Sequence, residues 1–116
     1  MITSRGQRKL SRFLEQLGFY VDQEVAVGEY SIDCYIEELH CGFELDSKYT
    51  HISRKRDKAR DKWIYENYSI PICRIDESEL KDTDALTKKV LDFIEKWSQN
   101  VKERRRSFIP VSRGEI

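Results

Sequence analysis

Tyr30-Ser31-Ile32-Asp33-Cys34-Tyr35-Ile36-Glu37, a polar break at 38–41, and Gly42-Phe43-Glu44-Leu45-Asp46 decide the fold. Both runs alternate apolar and polar residues with the period of two that a β-strand imposes on its side chains. Ile32, Cys34 and Ile36 are expected on one face and Ser31, Asp33 and Tyr35 on the other. In the second run Phe43 and Leu45 oppose Glu44 and Asp46. Upstream, Val21 to Val27 reads as a strand that turns at Gly28-Glu29. Three short strands with tight connections make an antiparallel meander.

Helices flank this meander. From Ser4 to Leu17, the apolar residues Leu10, Phe13, Leu14 and Leu17 fall at helical spacing, and Gly18 supplies the stop. Gln7 lies one turn before Leu10, at the edge of the same stripe. Downstream, Ser47 to Ser53 reads as a loop, Arg54 to Tyr65 as a charged helix, and Ile70 to Ile75 as a buried strand with Pro71 at its start. Asp82-Thr83 can cap a last helix whose stripe is Leu86, Val90, Phe93, Ile94, Trp97 and Val101. The fold class is α/β: helix, three-stranded antiparallel meander, helix, further strand, C-terminal helix. One domain is expected over residues 1–101, followed by a basic irregular tail over 102–116.

Composition agrees with one folded domain. The chain has 116 residues, 39% hydrophobic and 36% charged, which excludes membrane and collagen-like classes. Aromatics at 11% argue against disorder. Three cysteines without paired spacing point to reduced thiols and a cytoplasmic setting, and the first residues have no apolar signal-peptide core. Cys34, His40 and Cys41 offer zinc donors, but no CxxC occurs. Lys+Arg and Asp+Glu balance at 21 each, yet the cations cluster: Arg5, Arg8, Lys9 and Arg12; the segment 54–62; and Lys102 to Arg106. Segregated charge of this kind suits a phosphate backbone.

Acids on the sheet carry the chemistry. Asp33 stands mid-strand among apolar neighbours, where a carboxylate is costly unless paired or metal-bound. If the two strands are adjacent, Asp33, Glu44 and Asp46 converge, and mutual repulsion raises their pKa values unless a divalent cation neutralises them. Oxygen donors suit Mg²⁺ or Mn²⁺. A solvated sheet face is the ordinary place for any one of these acids; three together, followed by His51, favour a site. A neutral imidazole beside them can take a proton from water.

The pattern Ser4-x-x-Gln7-x-x-Leu10, Leu17-Gly18, Tyr30-Ser31-Ile32-Asp33, Phe43-Glu44-Leu45-Asp46-(x4)-His51 and Arg56-Asp57-(x2)-Arg60-Asp61 resembles the PD-(D/E)xK nuclease superfamily. Within it, the very-short-patch-repair-like branch and the catalytic domains of EDxHD-type phage homing endonucleases are most similar. The resemblance implies a restriction-endonuclease-like core and a metal-dependent DNA endonuclease. Metal ligands would be Asp33, Glu44 and Asp46; catalytic residues would be Gln7, Asp33, Asp46, His51 and Asp57, with Asp61 a second candidate for the last. Lys48, Arg54, Arg56, Arg60 and Arg8 would hold phosphates, and Tyr49 would wedge at a base step. The resemblance also implies a bacterial or phage origin, a double-stranded DNA partner, and site recognition by a separate domain or a homodimer.

Gln7 departs from the branch, which has glutamate there. An amide binds metal weakly and takes no proton at neutral pH, so a weakened or inactive nuclease is implied, whether the glutamine is native or introduced. A catalytically inactive nucleic-acid-binding module of the same fold and a plain interaction domain are the alternatives.

Overall fold

The computed structural model describes residues 4–46 and 51–108. Its elements run α1 (Arg5–Gln16), β1 (Asp22–Val27), β2 (Tyr30–Ile36), β3 (Cys41–Asp46), α2 (His51–Tyr68), β4 (Ile72–Asp76), a 3-10 turn at Glu77–Lys81, and α3 (Thr83–Phe108). The sheet order is β1-β2-β3-β4; the first two pairings are antiparallel and β3–β4 is parallel. This is the α/β fold the alternation predicts, with the meander's last strand also serving as the first strand of a β3–α2–β4 crossover.

Two cores form, one on each face. Leu10 and Leu14 of α1, Cys34 and Ile36 of β2, Cys41 and Phe43 of β3, Cys73 and Ile75 of β4, and Leu86, Val90 and Trp97 of α3 make the larger one. Ile64 of α2 packs with Val27, Ile32 and Ile70 to make the smaller. The sheet is therefore sandwiched between α1 and α3 on one side and α2 on the other. Burying these side chains removes apolar area from water at roughly 25 cal/mol per Å², the main term holding the layers together.

Local chemistry sets the element ends. Ser4 caps α1 by accepting a hydrogen bond from the Gln7 N–H (3.1 Å), and Gly18, at φ +103°, closes it. The Asp82 carboxylate accepts from the Ala85 N–H (3.1 Å) at the start of α3. Pro71 stands just before β4, its carbonyl taking the Gly42 N–H (3.0 Å). Asp76 and Glu79 form a reciprocal capping box at the 3-10 turn, an element the periodicity does not predict.

Several boundaries differ from expectation. Residues 51–53, expected in a loop, have helical backbone, and α2 runs on to Tyr68. α3 continues past Val101 to Phe108, so the basic segment is helical rather than irregular over 102–108. Most informative is a change of facing in β2: Ile32 packs in the Ile64 cluster with Tyr35, while Cys34 and Ile36 pack under α1 and α3. Simple alternation would have put all three isoleucine and cysteine side chains together. On the partner strand Glu24 sits at φ +55°, and the registers skip the Glu24–Asp33 position. Left-handed backbone at a non-glycine residue rotates the strand locally, and the facing reverses there. Asp33 lies at the break.

Candidate active site: a carboxylate pair at a break in the ladder

The regular β2–β3 ladder includes Ile36↔Cys41, Tyr35↔Gly42 and Cys34↔Phe43, and stops before Asp33 would meet Glu44. Side chains take over there. The Asp33 N–H donates to Glu44 Oε2 (2.9 Å), and the Leu45 N–H donates to Asp33 Oδ2 (2.9 Å). Two carboxylates thus replace backbone acceptors at the point where the strands part. Glu44 is only 5% exposed. Its Oε2 also meets Arg60 Nη2 at 2.8 Å, and Arg60 donates to the Ser31 carbonyl (2.6 Å).

Burial is the largest influence on both acids. It pushes Glu44 up to about 7, reinforced by the charge of Asp33 and opposed without success by Arg60 and the Asp33 N–H. Asp33 is raised as well, again by burial first, against the Leu45 hydrogen bond. Burial thus makes the charged forms of both acids costly, most of all at Glu44, the more buried member.

Asp46 does not join them. Its Oδ1 lies 2.9 Å from Arg74 Nη1 on β4, and the same guanidinium reaches Asp57 (3.3 Å) and both oxygens of Asp61 (2.8 Å) on α2. Burial opposes the charge of Arg74, but the Asp61 hydrogen bonds and the three carboxylates together outweigh it and raise its pKa. Convergence of three sheet acids is thus corrected to a pair, with the third neutralised by an arginine. Asp57 is likewise placed on Arg74.

Gln7 is buried and points to the sheet, as the α1 stripe predicts, but its amide donates to Gln23 Oε1 on β1 (3.3 Å) rather than reaching the carboxylate pair. The N-terminus of α1 nonetheless lies close to β3: a Cβ on Gly6 would fall 2.6 Å from Leu45 Cδ2, so the leucine side chain would have to shift to admit one. Arg60, expected on a phosphate, is engaged with Glu44. Arg8 and Arg56 are exposed, and Arg54 lines a groove of about 500 Å³ with Asp57, Lys58, Asp61, Ile72 and Arg74. Lys48 and Tyr49 lie outside the described residues. His51 contributes the first backbone position of α2, and its side chain is outside the description.

No cluster of three or more metal-ligating side chains occurs among the described residues. The pair itself is of the right chemistry: Asp33 and Glu44 are hard oxygen donors, and Mg²⁺ commonly takes one or two carboxylates while keeping several waters. His40, by contrast, has both ring nitrogens engaged, with the Tyr35 hydroxyl and the Tyr68 carbonyl (2.8 Å each). The three thiols are buried, which pushes Cys34 and Cys41 up to about 12 and Cys73 to about 11, far from reactive thiolates.

Periodicity missed Arg74, although a cation inside the otherwise apolar run Ile70 to Ile75 is a signal that carboxylate partners must be supplied from elsewhere.

Sequence comparison finds no matching protein family and no matching curated protein. Among solved structures the fold is that of an endonuclease domain. The catalytic domain of the homing endonuclease I-Bth0305I superposes with a TM-score of 0.67 at 14% identity, over 81% of this chain and 97% of that one. No helix among the described residues is long and apolar enough to cross a membrane.

Proposed function

We propose that this chain is the catalytic domain of a divalent-metal-dependent DNA endonuclease of PD-(D/E)xK type, in the very-short-patch-repair-like branch. The reading is carried by the Asp33–Glu44 pair: two carboxylates inserted into a sheet break, each taking a backbone N–H and one almost fully buried, beside helices rich in cations. The fold likeness to a homing endonuclease domain supports it. Mg²⁺ or Mn²⁺ held by Asp33 and Glu44 would supply charge stabilisation for the phosphodiester transition state. The Leu45 N–H fixes the Asp33 carboxylate, and Arg60 with the Asp33 N–H fixes Glu44. His51, at the head of α2, is assigned the proton of the attacking water. Arg8, Arg54 and Arg56, with Lys48, contact flanking phosphates of double-stranded DNA. Recognition of a target sequence is assigned to a further domain or to dimerisation.

A second reading, a DNA-binding module of the same fold without catalysis, is favoured by one observation. The amide of Gln7 is bonded to Gln23 and offers the pair no carboxylate.

Nicking of supercoiled plasmid with Mn²⁺ or with EDTA, beside a filter-binding titration across roughly 50–200 mM salt, separates the two. Metal-dependent nicking lost in Asp33→Asn, with binding retained, is the expected result. Near-normal nicking by folded Asp33→Asn overturns the metal-site assignment. Binding without nicking in every metal leaves the second reading.

A further inference from the structure

We infer that Trp63, Tyr30 and Tyr68 form a stacking platform for an unpaired base of a DNA substrate, beside the Asp33–Glu44 pair. The inference rests on the nuclease reading above and deepens its substrate class.

The three rings form one exposed patch. Trp63 is 38% exposed, Tyr30 38% and Tyr68 44%. Ring centroids lie 5.4 Å apart for Tyr30–Trp63 and 5.9 Å for Trp63–Tyr68. The platform is held in place: the β1–β2 turn passes Gly28 at φ +62°, where a Cβ would fall 2.7 Å from Trp63 Cη2. Each ring is more than half buried, and the exposed parts stand next to one another, a grouping that suits a ligand with a flat apolar face.

Charge selects the occupant. Asp57 and Asp61, which would otherwise offset the cations of α2, are drawn to Arg74. Lys55, Arg56, Lys58 and Lys62 are left exposed, with no ion-pair partner among the described residues. Arg56 shares the helix face of Trp63 two turns earlier, roughly 10 Å away along the axis. Glu29 and Glu66 are exposed next to the rings, so the cations that suit the phosphates of a single strand are those further along α2, while the rings suit its bases. A fully paired duplex hides its base faces, so the rings call for an unpaired nucleotide. A second copy of this chain, meeting the patch symmetrically, would press like charges together. Arg60 joins platform and site, lying 5.6 Å over the Tyr30 ring and 2.8 Å from Glu44.

Tryptophan fluorescence reads the contact directly. The chain has two tryptophans, and Trp97 is buried with its indole N–H on the Leu39 carbonyl (2.6 Å). Trp63 therefore carries the solvent-sensitive signal, obtained as the difference between the unchanged chain and Trp63→Phe. The probes are a DNA duplex with a one-nucleotide bulge and the same duplex fully paired, titrated in EDTA so that neither is cut. The bulged duplex is expected to quench Trp63 and to bind at least roughly fivefold tighter; Trp63→Ala should erase that preference, and Trp63→Phe should keep most of it. Equal affinity for the two duplexes, or preference retained in folded Trp63→Ala, overturns the platform. Should Trp63→Ala fail to fold, Tyr68→Ala decides in its place, and an unreduced preference there also overturns it. Quenching that grows with protein concentration without DNA identifies a second copy as occupant and overturns it too. If both duplexes bind equally and plasmid is still nicked with Mn²⁺, the platform fails while the nuclease reading stands. If neither duplex binds, both fail.

Discussion

Replacing Glu44 by glutamine should make the protein more stable at alkaline pH and flatten its pH dependence. Glu44 is almost fully buried and is moved from its ordinary 4.5 to about 7, burial first and Asp33 second. The folded state thus favours the protonated form. Its contribution to stability is complete below pH 4.5 and is lost as pH rises through about 7. A displacement of that size corresponds to about 3 kcal/mol between the two ends of the window. Glutamine imitates the protonated acid: it keeps the volume, can still accept the Asp33 N–H, and likewise forgoes the full ion pair with Arg60.

Urea unfolding at pH 5, 6, 7 and 8, with EDTA present, measures the effect. The unchanged chain should lose stability across this series relative to Glu44→Gln, so that the variant is ahead by about 3 kcal/mol at pH 8. Added Mg²⁺ or Mn²⁺ should recover part of the difference only in the unchanged chain, because a ligand of the folded state stabilises it by mass action. Parallel pH profiles for the two proteins would refute the reasoning. They would mean that Arg60 compensates Glu44 fully and that the pair carries no stored electrostatic cost.

Two further outcomes are expected. Arg74→Met should cost about 3 kcal/mol or more in urea unfolding, because it leaves Asp46, Asp57 and Asp61 partly buried and mutually repelling; a loss under about 1 kcal/mol would show that water already screens the trio. On the proposed function, a carboxylate at position 7 that leaves Gln23 for the pair should raise the plasmid nicking rate in Gln7→Glu by a factor on the order of a hundred, whereas the exposed Glu15→Gln should leave it unchanged. Equal rates for the unchanged chain and Gln7→Glu, both folded and binding DNA, would remove position 7 from the site.

What the sequence makes legible is local. Leu10 and Leu14 announce the buried face of α1, and the alternation of Phe43 and Leu45 against Glu44 announces β3; each depends on near neighbours in the chain. Adjacency of Asp33 and Glu44 follows from a tight meander, so that pair is legible too. The reversal of facing at Ile32 is not, because it depends on left-handed backbone at Glu24, a residue with no glycine to signal it. Nor is the fate of Asp46. Its partner Arg74 arrives through the parallel β3–β4 pairing, where Glu44 stands opposite Arg74 and Asp46 opposite Asp76. That register is set by a crossover through α2, and no short-range pattern encodes it. The start of α2 at His51 was hidden for a simpler reason: polar residues carry no hydrophobic period to mark it.

The allocation of charge around the sheet distinguishes the two groups of acids physically. Asp46, Asp57 and Asp61 share one guanidinium whose own pKa they raise, as ion pairs that hold α2 onto β3 and β4 should do. Asp33 and Glu44 have Arg60 within reach of only one oxygen, and burial still wins at both carboxyls. A fold selected for stability alone has cheaper ways to fill that place, since replacing buried charge by matched apolar side chains is often neutral or stabilising. The hydrogen bonds confirm that the position is built rather than accidental, because each carboxylate receives a backbone N–H that a regular ladder would have used. An undercompensated pair held this firmly is an electrostatic cost that the fold keeps in place. On the proposed function, a divalent cation bound there would stabilise the folded state by mass action and offset part of that cost, which is what the metal arm of the urea titration reads.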